Sequence, residues 1–299
     1  MSSLAATMTI LEPYPGLFAY YDGRIAGKRL HSEEPNWLDD GAYSLGVASY
    51  ALVAGERAIL YDTHISFDHA QAIRSHLEGL GVTSIQVVLS HWHTDHIAGN
   101  AVFADCEIIA NRLTAKTLIE NVKTLANKTP PINPVVMPNR LFEGQLTLPL
   151  GDRVVELLQF DIHSADGTVL LLPDEGVLLA GDTLEDTVTY ISEPEHIPTH
   201  IVELGRMAGL PIRRILPNHG AMERIAAGGY EPSLIEANRT YLERLQALAE
   251  AGVTEDVALR DFVADDIASG RIVYFESYER VHRANVAAVL GARAAASGI

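Results

Sequence analysis

The chain has 299 residues, 47% apolar and 20% charged, with 39 acidic against 22 basic side chains and a formal net charge of −17. That apolar share supplies a core and excludes a disordered chain. So acidic a surface repels phosphate backbones, which argues against nucleic acid as a partner. One cysteine, Cys106, rules out an internal disulfide framework and zinc sites built from two or four cysteines. The opening MSSLAATMTILEPYPG has no basic start and no useful apolar run, and no stretch approaches the ~18 apolar residues of a membrane span. The expectation is a cytoplasmic protein with no membrane partner.

In chain order, residues 17–21, 45–53 and 57–61 read as strands, with Gly55 and Glu56 turning the last two into a hairpin. Residues 67–80 read as a helix, because Ala70, Ile73, Leu77 and Leu80 recur at spacings of three and four. Gly81 stops it. The apolar run 85–89 is a buried strand that leads directly into Ser90 and His91. Residues 126–138 hold four prolines and little periodicity, and suit either an ordinary connection or the rim of a site. Strands follow at 154–160, 168–172 and 177–180, with Gly176 in the turn between the last two. A helix at 196–208 precedes a strand at 214–216. Residues 232–249 form an amphipathic helix with Leu234, Ala237, Tyr241, Leu245 and Leu248 on one face, and 277–295 also read as helix. Strand-rich segments interrupted by helices, twice over, predict two packed sheets with helices outside. Residues 1–299 read as a single domain whose region from about 231 onward is helical.

The chemistry concentrates in Ser90-His91-Trp92-His93-Thr94-Asp95-His96. Four potential ligands lie within six residues, directly after a buried strand. His91 and His93, two apart, point the same way in extended backbone, and Asp95 and His96 face a second point nearby. Imidazoles with carboxylates suit zinc, iron or manganese. A core has no use for such a cluster, since buried imidazoles need partners. Cys106, in an apolar stretch, reads as core.

This motif resembles the His-x-His-x-Asp-His signature of the metallo-β-lactamase superfamily. Further elements resemble that family in order: Tyr61-Asp62-Thr63 at a strand end, Asp161-Ile162-His163-Ser164, Ala180-Gly181-Asp182-Thr183 after a hairpin, and Leu216-Pro217-Asn218-His219-Gly220. The resemblance covers about residues 17–220. It implies an α/β fold, an αββα four-layer sandwich with a metal site at one edge between the sheets. It assigns His91, His93 and His163 to a first metal, Asp95, His96 and His219 to a second, and Asp182 to a bridge between them. Asp62 would stand behind the histidine loop and orient a ligand imidazole. The chain departs from the family's common pattern at His64 and Asn218, where glycine is frequent, and just after His163. Asp182 points away from the antibiotic-resistance lactamases and toward lactonase, thioesterase and general hydrolase branches.

Two divalent ions held in this way share a water whose pKa falls from about 15.7 toward ~7. The implied function is a dinuclear metal hydrolase of a small-molecule ester, lactone, thioester or amide, β-lactams included, with Asp95 as the candidate catalytic group that moves the proton. Affinity order favours zinc over iron or manganese. The alternative is a mononuclear iron oxygenase acting on a persulfide. A nuclease is disfavoured by the charge, and a scaffold by the intact ligand set. Trp92 walls the pocket or merely packs. Tyr190 lies beyond the position where family lactonases place a carbonyl-assisting tyrosine, which is Glu185 here. His196 and His200, four apart, share a helical face but as an isolated pair read as ordinary helix-start residues rather than a further metal pair. Tyr278, His282 and Asn285 read as packing residues of the last helix. The partner implied is a small-molecule substrate, with a homo-oligomer left open.

Overall fold

Short apolar strands, the central ones buried on both faces, build two sheets, seen in a computed structural model that describes residues 3–252 and 257–297. The first sheet holds β1 (Thr9–Tyr14), β2 (Leu17–Asp22), β3 (Val47–Ala54), β4 (Arg57–Tyr61), β5 (Ser84–Val88), β6 (Glu107–Asn111) and β7 (Arg140–Phe142) in that spatial order. Pairing is antiparallel from β1 to β4 and parallel from β4 to β7. The second sheet runs β12 (Arg214–Pro217), β11 (Val177–Gly181), β10 (Thr168–Leu172), β9 (Arg153–Gln159) and β8 (Gln145–Leu150). Here β11 and β12 are parallel and the remaining pairs antiparallel.

Alternation along each strand assigns its faces. On β4, Ile59 and Tyr61 enter the layer between the sheets, while Ala58 and Leu60 face outward to α1 (Phe67–Gly79). On β10, Leu170 and Leu172 point inward, and Val169 and Leu171 point outward. Helix α1 starts at Ser66, whose hydroxyl accepts the His69 N–H, and buries Ala70, Ile73 and Leu77. Burying each such Ile or Leu contributes about 1.5–3 kcal/mol. Together with α3 (Arg112–Ala126), α1 covers the first sheet. Helices α4 (Ile197–Met207), α6 (Ser233–Ala251) and α9 (Tyr278–Ser297) cover the second. The result is the four-layer αββα sandwich. Four short helices complete the described residues: α2 (Thr94–Ile97), α5 (Met222–Ala226), α7 (Leu259–Phe262) and α8 (Ala264–Ala268). No helix among the described residues is long and apolar enough to cross a membrane.

Strand direction gathers the functional loops. β4 and β5 are parallel, as are β11 and β12, and β9 runs in the same sense as β11 through two antiparallel steps. Asp62, His91, His163, Asp182 and His219 all follow the C-terminal ends of these strands. Several bonds join the sheets beneath the loops, among them the Thr168 N–H to the Ser90 carbonyl at 2.8 Å, the Tyr61 hydroxyl to the Thr168 carbonyl at 2.5 Å and the Tyr50 hydroxyl to the Pro217 carbonyl at 2.5 Å.

Candidate metal centre

After β5 the backbone bends at Ser90 and Trp92, is extended at His93, whose ψ is 154°, and then turns into α2. The bent segment presents His91 and His93, and the helical turn presents Asp95 and His96. His163 sits at φ 66°, a left-handed conformation held by the tight turn after β9. Asp182 follows the last residue of β11, and His219 follows β12 by two residues.

These side chains converge as two donor groups. His91, His93, His163 and Asp182 form one, and Asp95, His96, Asp182 and His219 the other, with ligand atoms within 4.8 Å of one another in each. His93 Nδ1 lies 2.9 Å from His91 Nε2 and 3.0 Å from His163 Nε2. Asp182 Oδ2 stands 3.1 Å from His96 Nε2 and 3.3 Å from His219 Nε2, and 3.7 Å from both His91 Nε2 and His163 Nε2. Its other oxygen, Oδ1, is buried with no hydrogen-bond partner. A buried carboxylate oxygen normally accepts a bond. A carboxylate with one oxygen amid four imidazole nitrogens and the other without a partner fits a pair of bridged cations.

The residues behind the ring fix which nitrogen faces in. His163 Nδ1 donates to the Tyr190 carbonyl at 2.9 Å and His219 Nδ1 to the Gly46 carbonyl at 2.6 Å. A carbonyl only accepts, so Nδ1 stays protonated and Nε2 is the nitrogen turned to the centre, where a cation would take the place of any Nε2 proton. His96 Nδ1 likewise donates to Asp62 Oδ2 at 2.9 Å. Asp62 is fully buried and also accepts the Ser90 N–H on Oδ1 at 2.7 Å. Its Oδ2 takes the Ser90 hydroxyl and the Asn218 amide, each at 2.6 Å. The Ser90 oxygen is then free to accept His91 Nδ1–H at 2.9 Å. One carboxylate thus orients imidazoles in both groups. Ser90 and Asn218 were not singled out as functional from the sequence, although Asn218 stood out there as a departure.

The two groups differ electrostatically. Burial pushes the His91 imidazole well below its usual range, His93 to about 3, and His163 downward, so these rings are neutral. Burial acts the same way on His96 and His219, but the Asp182 and Asp95 carboxylates outweigh it and hold both well above the usual range. The second group therefore draws positive charge. Beside it, burial and the Asp182 charge raise the Glu185 carboxyl to about 8. Glu185 accepts the Tyr190 N–H at 2.8 Å and lies 3.5 Å from His163 Nδ1.

The centre opens into a cleft of about 470 Å³, a size suited to small molecules. Trp37, Trp92 and Leu45 give it apolar walls, and Lys128 and Arg280 supply cationic groups. Trp92 thus lines the pocket, and Lys128 brings the proline-rich 126–138 segment to its rim. Tyr190 lies there too, with its ring 6.3 Å from that of His163. Tyr278, His282 and Asn285 pack: Asn285 bonds the Ile191 N–H, the Thr189 carbonyl and the Tyr241 hydroxyl, and His282 Nδ1 pairs with Tyr241. Cys106 is half-buried in the turn before β6 rather than fully in the core, and burial raises its thiol to about 11.

Residues 43–219, more than half of the chain, match the sequence model of the metallo-beta-lactamase superfamily, and the chain belongs to that superfamily. It is 26% identical over 184 residues to the beta-lactamase-like protein 2 homolog of Caenorhabditis elegans, a match that covers 60% of this chain and 58% of that protein. It is 24% identical over 220 residues to an atrochrysone carboxyl ACP thioesterase of Aspergillus novofumigatus, covering 71% of this chain and 61% of that one. The matched segments thus span less than two thirds of either relative. Among solved structures, the DIM-1 metallo-beta-lactamase superposes with a TM-score of 0.59 at 18% identity, over 80% of this chain and 97% of that chain. The metallo-beta-lactamase from Pontibacter korlensis gives a TM-score of 0.59 at 17% identity, over 79% and 99%. This likeness establishes the shared fold.

Proposed function

We propose that the chain is a metal-dependent hydrolase that holds two divalent ions, zinc by affinity order, and cleaves a small-molecule ester, lactone, thioester or amide. The observation that carries the reading is Asp182, one oxygen bare and the other within 3.7 Å of four imidazole nitrogens. His91, His93 and His163 would hold the first ion, Asp95, His96 and His219 the second, with Asp182 shared. Two such ions supply a nucleophilic water at neutral pH and polarise a substrate carbonyl. Around them the protein fixes imidazole tautomers through Asp62, Gly46 and Tyr190. Trp37 and Trp92 exclude bulk water from one side of the cleft. Lys128 and Arg280 favour substrates that carry a carboxylate or phosphate away from the scissile bond. Asp95, whose side chain keeps 15% exposure, is placed to receive and pass on a proton. The thioesterase relative puts thioesters first among substrates to try.

Elemental mass spectrometry on protein purified without added metal, followed by a screen of thioesters, lactones and β-lactams, tests the reading. Two equivalents of divalent metal held by the His91–His219 donor set, and chelator-sensitive hydrolysis, are expected. Asp182→Ala should lose at least one of these two equivalents and at least about 100-fold in rate. One equivalent of iron alone, with persulfide-dependent oxygen uptake and no hydrolysis, would replace it with the oxygenase reading.

A further inference from the structure

A second cluster of ligating side chains lies outside the cleft. Asp161, at the end of the β9 strand-to-turn segment, meets Glu193, His196 and His200 at the start of α4. Their ligand atoms lie within 4.8 Å of one another. His196 Nδ1 is 3.2 Å from Asp161 Oδ1 and 3.2 Å from Glu193 Oε2, and His200 Nε2 is 3.3 Å from the same Asp161 oxygen. His200 is 2% exposed, and its Nε2 makes no hydrogen bond.

From these positions we infer that Asp161, Glu193, His196 and His200 form a third cation site, structural in role and suited to zinc. Two imidazoles and two carboxylates are a recognised zinc donor set, and two carboxylates balance a dication. Zinc binds such atoms at about 2.0–2.1 Å, so the edge of its tetrahedron is about 3.3–3.4 Å. The three separations above lie within a few tenths of that edge. An ion pair explains part of the cluster, because an imidazolium at His196 satisfies both of its own contacts. It accounts less well for His200 Nε2, which is buried 3.3 Å from Asp161 Oδ1 but without the geometry of a hydrogen bond. A cation at the shared Asp161 oxygen satisfies both histidines at once.

The cluster also stands behind the first donor group of the main centre. Glu193 Oε2 accepts the Ala165 N–H at 3.1 Å, the Ser192 hydroxyl donates to the His163 carbonyl at 2.7 Å, and His163 Nδ1 donates to the Tyr190 carbonyl. A cation here pins segment 190–193 and the start of α4 to the turn that presents His163.

The test is dialysis of metal-free protein against zinc alone, followed by elemental mass spectrometry and thermal melting. His200→Ala and His196→Ala should each hold one equivalent less than the parent, and zinc should raise their melting temperature less than it raises the parent's. His196 is partly exposed, so its variant folds even if the His200 cavity is not tolerated. In an Asp182→Ala background, His196→Ala should still remove one further equivalent, which separates this site from the main centre. Equal zinc content in parent and His196→Ala protein, in both backgrounds, would overturn the inference and leave the cluster an ion pair.

Discussion

Asp62→Asn isolates the support behind the centre with almost no change in shape. The carboxylate receives four donors, three of them on Oδ2. In the asparagine, the oxygen retained toward the Ser90 N–H leaves an amide facing the Ser90 hydroxyl, the Asn218 amide and His96 Nδ1–H. The hydroxyl can rotate and accept, but the other two are donors facing donors. At about 1–3 kcal/mol for a buried group left unpaired, and with the His96 ring able to give up its Nδ1 proton, the metal-free protein should lose about 1–3 kcal/mol through the Asn218 amide. His96 escapes by moving its proton to Nε2, which then points a hydrogen rather than a lone pair at Asp182 and Asp95. Loss of such an outer partner typically weakens metal binding about 10–100-fold, or about 1.4–2.7 kcal/mol. Zinc titration of metal-free protein against a chromophoric chelator should show one class near the parental affinity and one weakened by that factor. Urea unfolding of the metal-free variant gives the stability term. Parental affinity for both zinc ions would refute the claim that Asp62 sets the His96 tautomer.

Two further outcomes follow from the packing. Leu157 is fully buried between the sheets, so Leu157→Ala should cost about 2–5 kcal/mol by urea unfolding while zinc content stays at the parental value; a loss under about 1 kcal/mol would mean that the layer closes over the gap. His64 is fully buried, accepts the Ile65 N–H at Nδ1 and donates to the Tyr20 carbonyl from Nε2. Burial and the neighbouring His69 push its imidazole well below the usual 6.5. As pH falls through 6.5 the unfolded chain takes up a proton that the folded chain refuses, so this contribution is present above 6.5 and lost on acidification, by up to about 1.4 kcal/mol per pH unit. Metal-free His64→Gln should therefore lose less stability between pH 6.5 and 5 than the parent, and parallel curves would sink the argument.

Elements whose local chemistry decides their structure were readable in advance. Residues 57–61 and 168–172 are strands within the bounds their apolar runs suggest, and the stripe Ala70, Ile73, Leu77 marks α1. Helix α3 is not legible in the sequence, because its buried face mixes Thr114 and Ala115 with Leu118 and Leu125, which blurs the periodicity. Strand β8 carries Pro149, a residue that usually argues against a strand, and is tolerated at the sheet edge. The short β1, β6 and β7 gave too little pattern to separate from loops. In the centre, the dense motif from His91 to His96 named itself, and His163, Asp182 and His219 followed from ordered resemblance. His64 departs from the common glycine yet occupies φ 69°; the backbone demand is the same, and a ring that accepts its own neighbour's N–H meets it. The Asp161 cluster was beyond reach, because two of its four members are ordinary acidic residues until β9 and α4 are brought side by side.

The order of donors along the chain also bears on synthesis. Four lie between His91 and His96, but the last, His219, emerges 123 residues after His96. At about 5–20 residues per second, that interval is roughly 6–25 s. Throughout it the nascent segment presents an incomplete, solvent-open set of three imidazoles and a carboxylate. Such a set follows the intrinsic affinity series, in which copper outcompetes zinc. If the chain holds two ions as proposed, selection for the right one would fall to the second sheet, which contributes His163, Asp182 and His219.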